Sequence, residues 1–376
     1  MPASYPKPTD HALDSGLQSI LQRIATGPEL SKDISFEEAR DAMRCILDGE
    51  VDPVQAGIFL IALRMKRETD DENRGVLQAL IDVSERAIAD VDEVVDVADP
   101  YDGYARGLPA SPFLPSVLAA CDVPAISQGA ESVGPKYGAT HRKVLRAAGR
   151  DVDLTVSEAA GRLSHPDCGW AYVDQSKICP DLHALLGLRQ LIVKRPCITT
   201  VEVLLRPISG RARTHLMTGY VHKPYPPIYT MLARQSGFTS AMIVRGVEGG
   251  VVPSLSQPAK LHRFMESSSD QEWRIKPRDV GVNCAVRAVP LPMALPARSG
   301  TQDDVEASID AEAIASAAAE AGLGALRGEP GPMRDSLVYA GALCLTHLGR
   351  SPDLKTAADS VREVLDSGEA HRRFHP

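Results

Sequence analysis

Apolar positions recur at helical spacing from residue 35 onward. Ala39, Met43, Ile46 and Leu47 fall on one helix face. Ser35 followed three residues later by Glu38 has the form of a capping box, in which each side chain meets the other's exposed backbone donor. Gly49 is a stop signal. Asp52 and Pro53 open a second helix, aspartate as the N-cap and proline at the first helical position, with Leu60, Ile61 and Leu63 through Met65 as its apolar content. The spacing of Val76, Leu77, Leu80, Ile81 and Val83 predicts a third helix from Asp70 to Ile88. Three helices with short connections make a small bundle. Residues 1–34 read as a lead-in with one short helix, and residues 35–91 as a helical domain.

After Asp92 the pattern changes. Two β-branched runs, VVDVA and VPAIS, flank a helical stretch from Pro112 to Cys121, the order expected of a parallel α/β unit. Further strands are predicted over Thr214–Tyr220 and Ala241–Arg245, with a helix over Pro227–Gln235 between them. Gly237 suits the left-handed residue that ends such a helix. The stretch from Arg298 to Val305 is polar and turn-rich. The alanine-rich IDAEAIASAAAEAG, Met333–Leu348 and Ser351–Ser367 are three more helices. The predicted fold is α/β: a small N-terminal α-helical domain, and an α/β domain over 92–376 with a mainly parallel central sheet on which the C-terminal helices pack.

Composition narrows the class without naming it. Of 376 residues, 44% are apolar and 24% charged, as in an ordinary globular chain. No apolar run reaches the roughly 20 residues of a membrane span, so no membrane partner is predicted. The opening MPASYPKPTDHALDSG lacks a basic segment followed by an apolar one, which makes cytoplasmic residence the default. Seven cysteines without a CxxC pair argue against a disulfide framework or a zinc ribbon. A net charge of −8 gives no global attraction to nucleic acid.

Three local clusters carry candidate chemistry. In GPKYGATHRKVLR, glycines at 134 and 138 free the backbone, while Lys136, His141, Arg142 and Lys143 bring positive charge near a helix start. Phosphate suits such a place; the plain alternative is a turn and a solvated basic face. Arg206, Arg211 and Arg213 lie on a loop that can hold single-stranded nucleic acid, with Tyr220 and Tyr225 near for stacking, or can simply be solvated. His222 follows a predicted strand, where open α/β sheets place ligand groups, and is either a general acid or base or a structural residue.

The segment ISFEEARDAMRCILDGEVDPVQAGIFLIALRMKRETDDE resembles the helical domain of anthranilate phosphoribosyltransferases and pyrimidine nucleoside phosphorylases. The tail ALRGEPGPMRDSLVYAGALCLTHLGR with AADSVREVLDSGEAHRRF is similar to the same family. The resemblance covers roughly nine tenths of the chain. It implies a glycosyl (pentosyl) transferase that binds a phosphorylated sugar or another anionic small molecule between the domains, with magnesium, as a homodimer.

Motif by motif, the chain departs from that pattern. The family's GTGGD loop, whose backbone amides approach a diphosphate, reads ADPYDG here, and leaves Asp102 and Gly103 as its counterparts. The helix start that contacts phosphate and magnesium corresponds to Ala110, Ser111, Pro112 and Phe113, with only Ser111 keeping a hydroxyl. The KHGN loop falls on Ser127 to Ala130 and keeps Gly129. The acidic pair that holds magnesium falls on Val251 and Val252, and an apolar pair does not ligate a hard cation. No other cofactor is implied. These departures argue against ordinary anthranilate chemistry. Arg189 and Arg195 occupy the positions of the family's arginine pair, so Arg189 either forks to a ligand carboxylate or phosphate or pairs with a nearby acid. PYDGYARG, CPDLHALLGLRQ and RGVEGG are also similar to a nucleic-acid-binding subgroup of the family, which makes a non-catalytic nucleic-acid-binding protein the alternative.

Overall fold

The computed structural model describes residues 12–27, 29–299 and 308–376. Part of the lead-in and most of the polar stretch from Arg298 to Val305 lie outside the described residues. Strands run in the order β1 (Ala87–Ile88), β2 (Glu93–Ala98), β3 (Ala125–Gly129), β4 (Trp170–Asp174), β5 (Ile208–Ser209), β6 (Arg213–Gly219), β7 (Ser240–Val244), β8 (Ala259–Met265) and β9 (Gln271–Ile275). The central sheet has the order β4-β3-β2-β6-β7-β8-β9. Its first five strands are parallel, and β8 and β9 add an antiparallel edge.

The predicted helices form where their signals lie. Ser35 and Glu38 make the capping box of the helix Phe36–Leu47, and Asp52 caps Pro53–Lys66 through its bond to the Val54 N–H. The third helix is shorter than predicted: it spans Asp70–Val83, with Ser84 already extended. Ala87 and Ile88 are instead strand β1, paired with Ile208 and Ser209. That correction has a tertiary cause, because a two-residue parallel ladder with a partner some 120 positions away leaves no periodicity to read. The lead-in helix, Ala12–Ile24, and the segment 175–201 complete the helical layer: Leu188 and Ile192 meet Gly57, and the Cys197 N–H donates to the Leu60 carbonyl at 3.2 Å.

Alternation along β2 builds two cores. Val95 and Val97 join the core under the C-terminal helices, with Leu337, Val338 and Leu365, while Val94 and Ala98 face the core shared with the N-terminal helices, with Leu60 and Leu77. A strand buried on both faces is what parallel sheets require. The C-terminal helices are Ala311–Leu326, Pro332–His347, Leu354–Asp366 and Glu369–Phe374. Gly237 ends the helix Tyr225–Gln235 with φ 83°, as its position predicted. No described helix is long and apolar enough to cross a membrane.

Candidate functional site

The carboxyl ends of β2 and β6 and the loops that follow them face the helical layer across a cleft of about 870 Å³. Its walls carry Arg64 from the helical domain and, from the α/β domain, Asp102, Arg106, Lys136, Arg195 and His222. Three tyrosines, Tyr220, Tyr225 and Tyr229, supply an aromatic wall. The guanidinium of Arg64 lies 5.4 Å from the centre of the Tyr225 ring and so links the two domains across the cleft; a cation over an aromatic face is worth about 0.5–1 kcal/mol where partly exposed.

The turn after β2 fixes one wall. Gly103 has φ 73°, and a Cβ there would lie 2.7 Å from the Ala139 backbone, so only glycine fits. The Gly138 N–H donates to the Asp102 carbonyl at 2.9 Å, and Tyr104 and Ala139 exchange backbone bonds. On this pinned turn the Asp102 carboxylate accepts from Arg195 Nη2 at 2.5 Å and lies 3.2 Å from Lys136 Nζ. Glu248 closes the other side: its carboxylate accepts the N–H groups of Ala105 at 3.0 Å and Arg106 at 2.9 Å, with Lys136 Nζ 3.9 Å away. The Arg106 guanidinium is exposed and makes no ion pair among the described residues.

Behind that turn the polar groups are sealed. Asp99 accepts the Val251 N–H at 2.8 Å and the Tyr104 hydroxyl at 2.7 Å, takes a short bond from Ser111, and has His141 Nε2 at 3.1 Å. Burial pushes its carboxyl up, but the bonds from His141, Ser111 and Tyr104 outweigh burial and hold it below the ordinary aspartate range. A second buried chain runs from Tyr101 through Gln128 to Asp96, at 2.6 Å and 2.8–2.9 Å. Burial pushes the Asp96 carboxyl up to about 7, against the smaller lowering by Gln128 and Arg206.

The structure therefore divides the residues singled out from the sequence. Asp102, Lys136, Arg195 and His222 line the cleft. Ser111 and His141 belong to the sealed Asp99 cluster, and Gly129 lies in β3 beside the Tyr172 hydroxyl. Arg142 is held by Glu131 at 2.9 Å and Asp153 at 2.7 Å. Arg189 is buried and forks onto Glu202 at 2.6 and 2.9 Å, so of its two readings the structure displays the pair with a nearby acid. The arginine loop is likewise paired: Arg211 with Asp90 and Asp92, Arg213 with Glu93. Arg64, Arg106, Glu248 and Tyr229 gave no sequence signal, because their convergence depends on how helices and loops distant in the chain come together.

A family model described as the helical bundle domain of a glycosyl transferase family matches residues 18–84. The anthranilate phosphoribosyltransferase of Nitrosomonas europaea is 24% identical over 359 residues, covering 95% of this chain and 96% of that one. That of Rhodopseudomonas palustris strain BisB18 is 29% identical, covering 94% of each. The chain belongs to the anthranilate phosphoribosyltransferase family. The solved enzyme of Saccharomyces cerevisiae, in complex with PRPP and Mg, superposes with a TM-score of 0.74 at 15% identity and 96% coverage of both chains, a likeness of fold. The family fold is thus a helical bundle on a mostly parallel α/β domain, as the sequence predicted.

The metal that the family resemblance implies does not fit the residues here. Val251 and Val252 are buried among apolar side chains, Asp99 is saturated by its donors, and Asp102 is held by two cations. Among the described residues no group of three or more His, Cys, Asp or Glu is arranged to hold a metal ion.

Proposed function

We propose that this protein is a diverged pentosyl transferase of the family that binds a phosphoribosyl-type anion in the interdomain cleft without a protein-held metal pair. The observation that carries this reading is the convergence of Arg106, Lys136, Arg195 and Arg64 on one cleft beside an aromatic wall. Cations in a partly enclosed site attract a phosphate more strongly than exposed ones, because the local dielectric is lower, and tyrosine faces accept a sugar or a planar ring. His222, the histidine of the cleft wall among the described residues, is assigned here to exchange a proton with a bound ligand.

Thermal shifts test the reading. A phosphorylated sugar such as ribose 5-phosphate should raise the Tm with or without magnesium, since a ligand that binds only the folded state stabilises it by mass action. Lys136→Ala should weaken that binding about tenfold, the scale of one charge-assisted contact. A shift produced by single-stranded oligonucleotides alone, steeply reduced by salt, would replace this reading with nucleic-acid binding.

The family likeness also leads us to propose a homodimer through the helical domain. Val54, Ile58 and Met65 form one face of the helix Pro53–Lys66 and are 69%, 39% and 72% exposed, and Leu191 is 81% exposed. Sedimentation velocity checks this, and a monomer at micromolar concentration removes it.

A further inference from the structure

Every donor set at the carboxyl end of β2 is already engaged by a carboxylate of the chain itself. Asp99 has the Val251 N–H, the Tyr104 and Ser111 hydroxyls and His141. Glu248 has the two consecutive N–H groups of Ala105 and Arg106, which point the same way and would otherwise form an anion-binding concavity. Asp102 has Lys136 and Arg195. What faces open space is the Arg106 guanidinium, the outer side of Arg195, which is 40% exposed, and the less open Lys136. The positive charge on this wall of the cleft is thus partly neutralised from within. On the wall that meets the helical domain, Tyr225 and Tyr229 lie with ring centres 6.2 Å apart, and the Arg64 guanidinium lies 5.4 Å from the Tyr225 ring centre.

We propose that the cleft selects a ligand with one phosphate and one planar ring, in chemical class a nucleoside monophosphate, over a phosphoribosyl diphosphate, and that Asp102 is the residue that sets this preference. The inference rests on the phosphoribosyl-type reading above and names which member of that class fits. A single phosphate is matched by the outward faces of Arg106, Arg195 and Lys136. A diphosphate brings further negative charge toward Asp102 and Glu248, whose carboxylates are held in place, Asp102 by a turn that Gly103 locks against Ala139 and Glu248 by its bonds to the 105–106 backbone. Like charges brought near one another in a partly solvated site lower affinity by about tenfold. Among the described residues no acidic group is arranged to hold a metal ion that would absorb the added charge. A planar ring on the sugar gains the tyrosine wall, and stacking on an aromatic side chain strengthens binding by about tenfold per ring.

Isothermal titration of the full-length protein with AMP, UMP, ribose 5-phosphate and phosphoribosyl diphosphate, each with and without magnesium, tests this. A nucleoside monophosphate should bind at least about tenfold tighter than phosphoribosyl diphosphate, and Asp102→Asn, which keeps an acceptor for Arg195 but removes the charge, should narrow that gap about tenfold. Phosphoribosyl diphosphate binding as tightly as the monophosphates in the wild type overturns the inference and leaves the phosphoribosyl-type reading standing. An unchanged gap in a folded Asp102→Asn overturns the assignment to Asp102. No binding of any of the four overturns both readings together. The wild-type comparison stands by itself if the variant does not fold.

Discussion

Asp99 and Asp102 sit three residues apart on the same turn and do opposite things. Both are buried, at 2% and 5% exposure, but Asp99 points behind the turn, where its partners are two hydroxyls, a histidine and a backbone N–H. Asp102 points to the cleft, where its partners are Lys136 and Arg195, side chains with room to turn toward a ligand. The residue type is the same, and only the side of the turn differs. A polar group in the sealed region is part of the fold, and removing it leaves donors stranded; a polar group on the cleft wall is available for recognition because water or a ligand can take its place.

The largest effects should therefore come from the sealed side. Asp99→Ala strands the donors of Val251, Tyr104, Ser111 and His141 and should cost about 3–5 kcal/mol of stability, as breaking a buried charged network does. Arg189→Ala, which leaves Glu202 charged and buried, should cost a similar amount. Urea titration reads both, and a loss below about 1 kcal/mol in either would erase the distinction between the two regions.

A middle-sized effect is expected at Asp96, with a defined pH dependence. Its folded carboxyl titrates at about 7, above the ordinary aspartate value. The folded state therefore holds its proton more tightly than the unfolded one, and the associated stability is present at low pH and lost as pH rises from about 4 through 7. Asp96→Asn removes that loss and should stabilise the protein at pH 8 by about 2 kcal/mol relative to pH 5. Parallel denaturation curves at the two pH values check it, and an equal change at both rules out a buried, titrating Asp96.

The smallest effect belongs to the arginine loop. Arg211 is 55% exposed in its pairs with Asp90 and Asp92, and solvent screening leaves such pairs about 0–1 kcal/mol each. Arg211→Ala should shift stability by less than about 0.5 kcal/mol. The same substitution sharpens the functional comparison: a large loss of oligonucleotide binding would move the ligand surface from the cleft to this loop.

Much of the scaffold was legible in the chain. The capping box at Ser35, the proline start at Pro53, the β-branched runs around β2 and β3 and the glycine stop at Gly237 all act through neighbours in sequence, so their signals survive without tertiary context. The antiparallel hairpin of β8 and β9 was not legible, and neither was the short β1: the alternation along β8 breaks at mid-strand, β9 is a mostly exposed edge, and a two-residue ladder carries no period. Within the candidate site, the family resemblance brought out Asp102 and Arg195, the basic glycine-bearing stretch GPKYGATHRKVLR brought out Lys136, and the place after a predicted strand brought out His222. It did not bring out Arg64 or Glu248.

The sequence by itself determined the residue inventory: a family scaffold whose glycine loop, lysine loop and acidic pair are replaced. Whether each surviving charge serves the fold or faces a ligand was decided only by tertiary structure. Lys136 and Arg142 lie in one basic run, yet one reaches the cleft and the other is tied to Glu131 and Asp153. Burial and partner choice depend on strands and loops that meet across more than a hundred residues, and at low dielectric those two quantities fix what a charge can do.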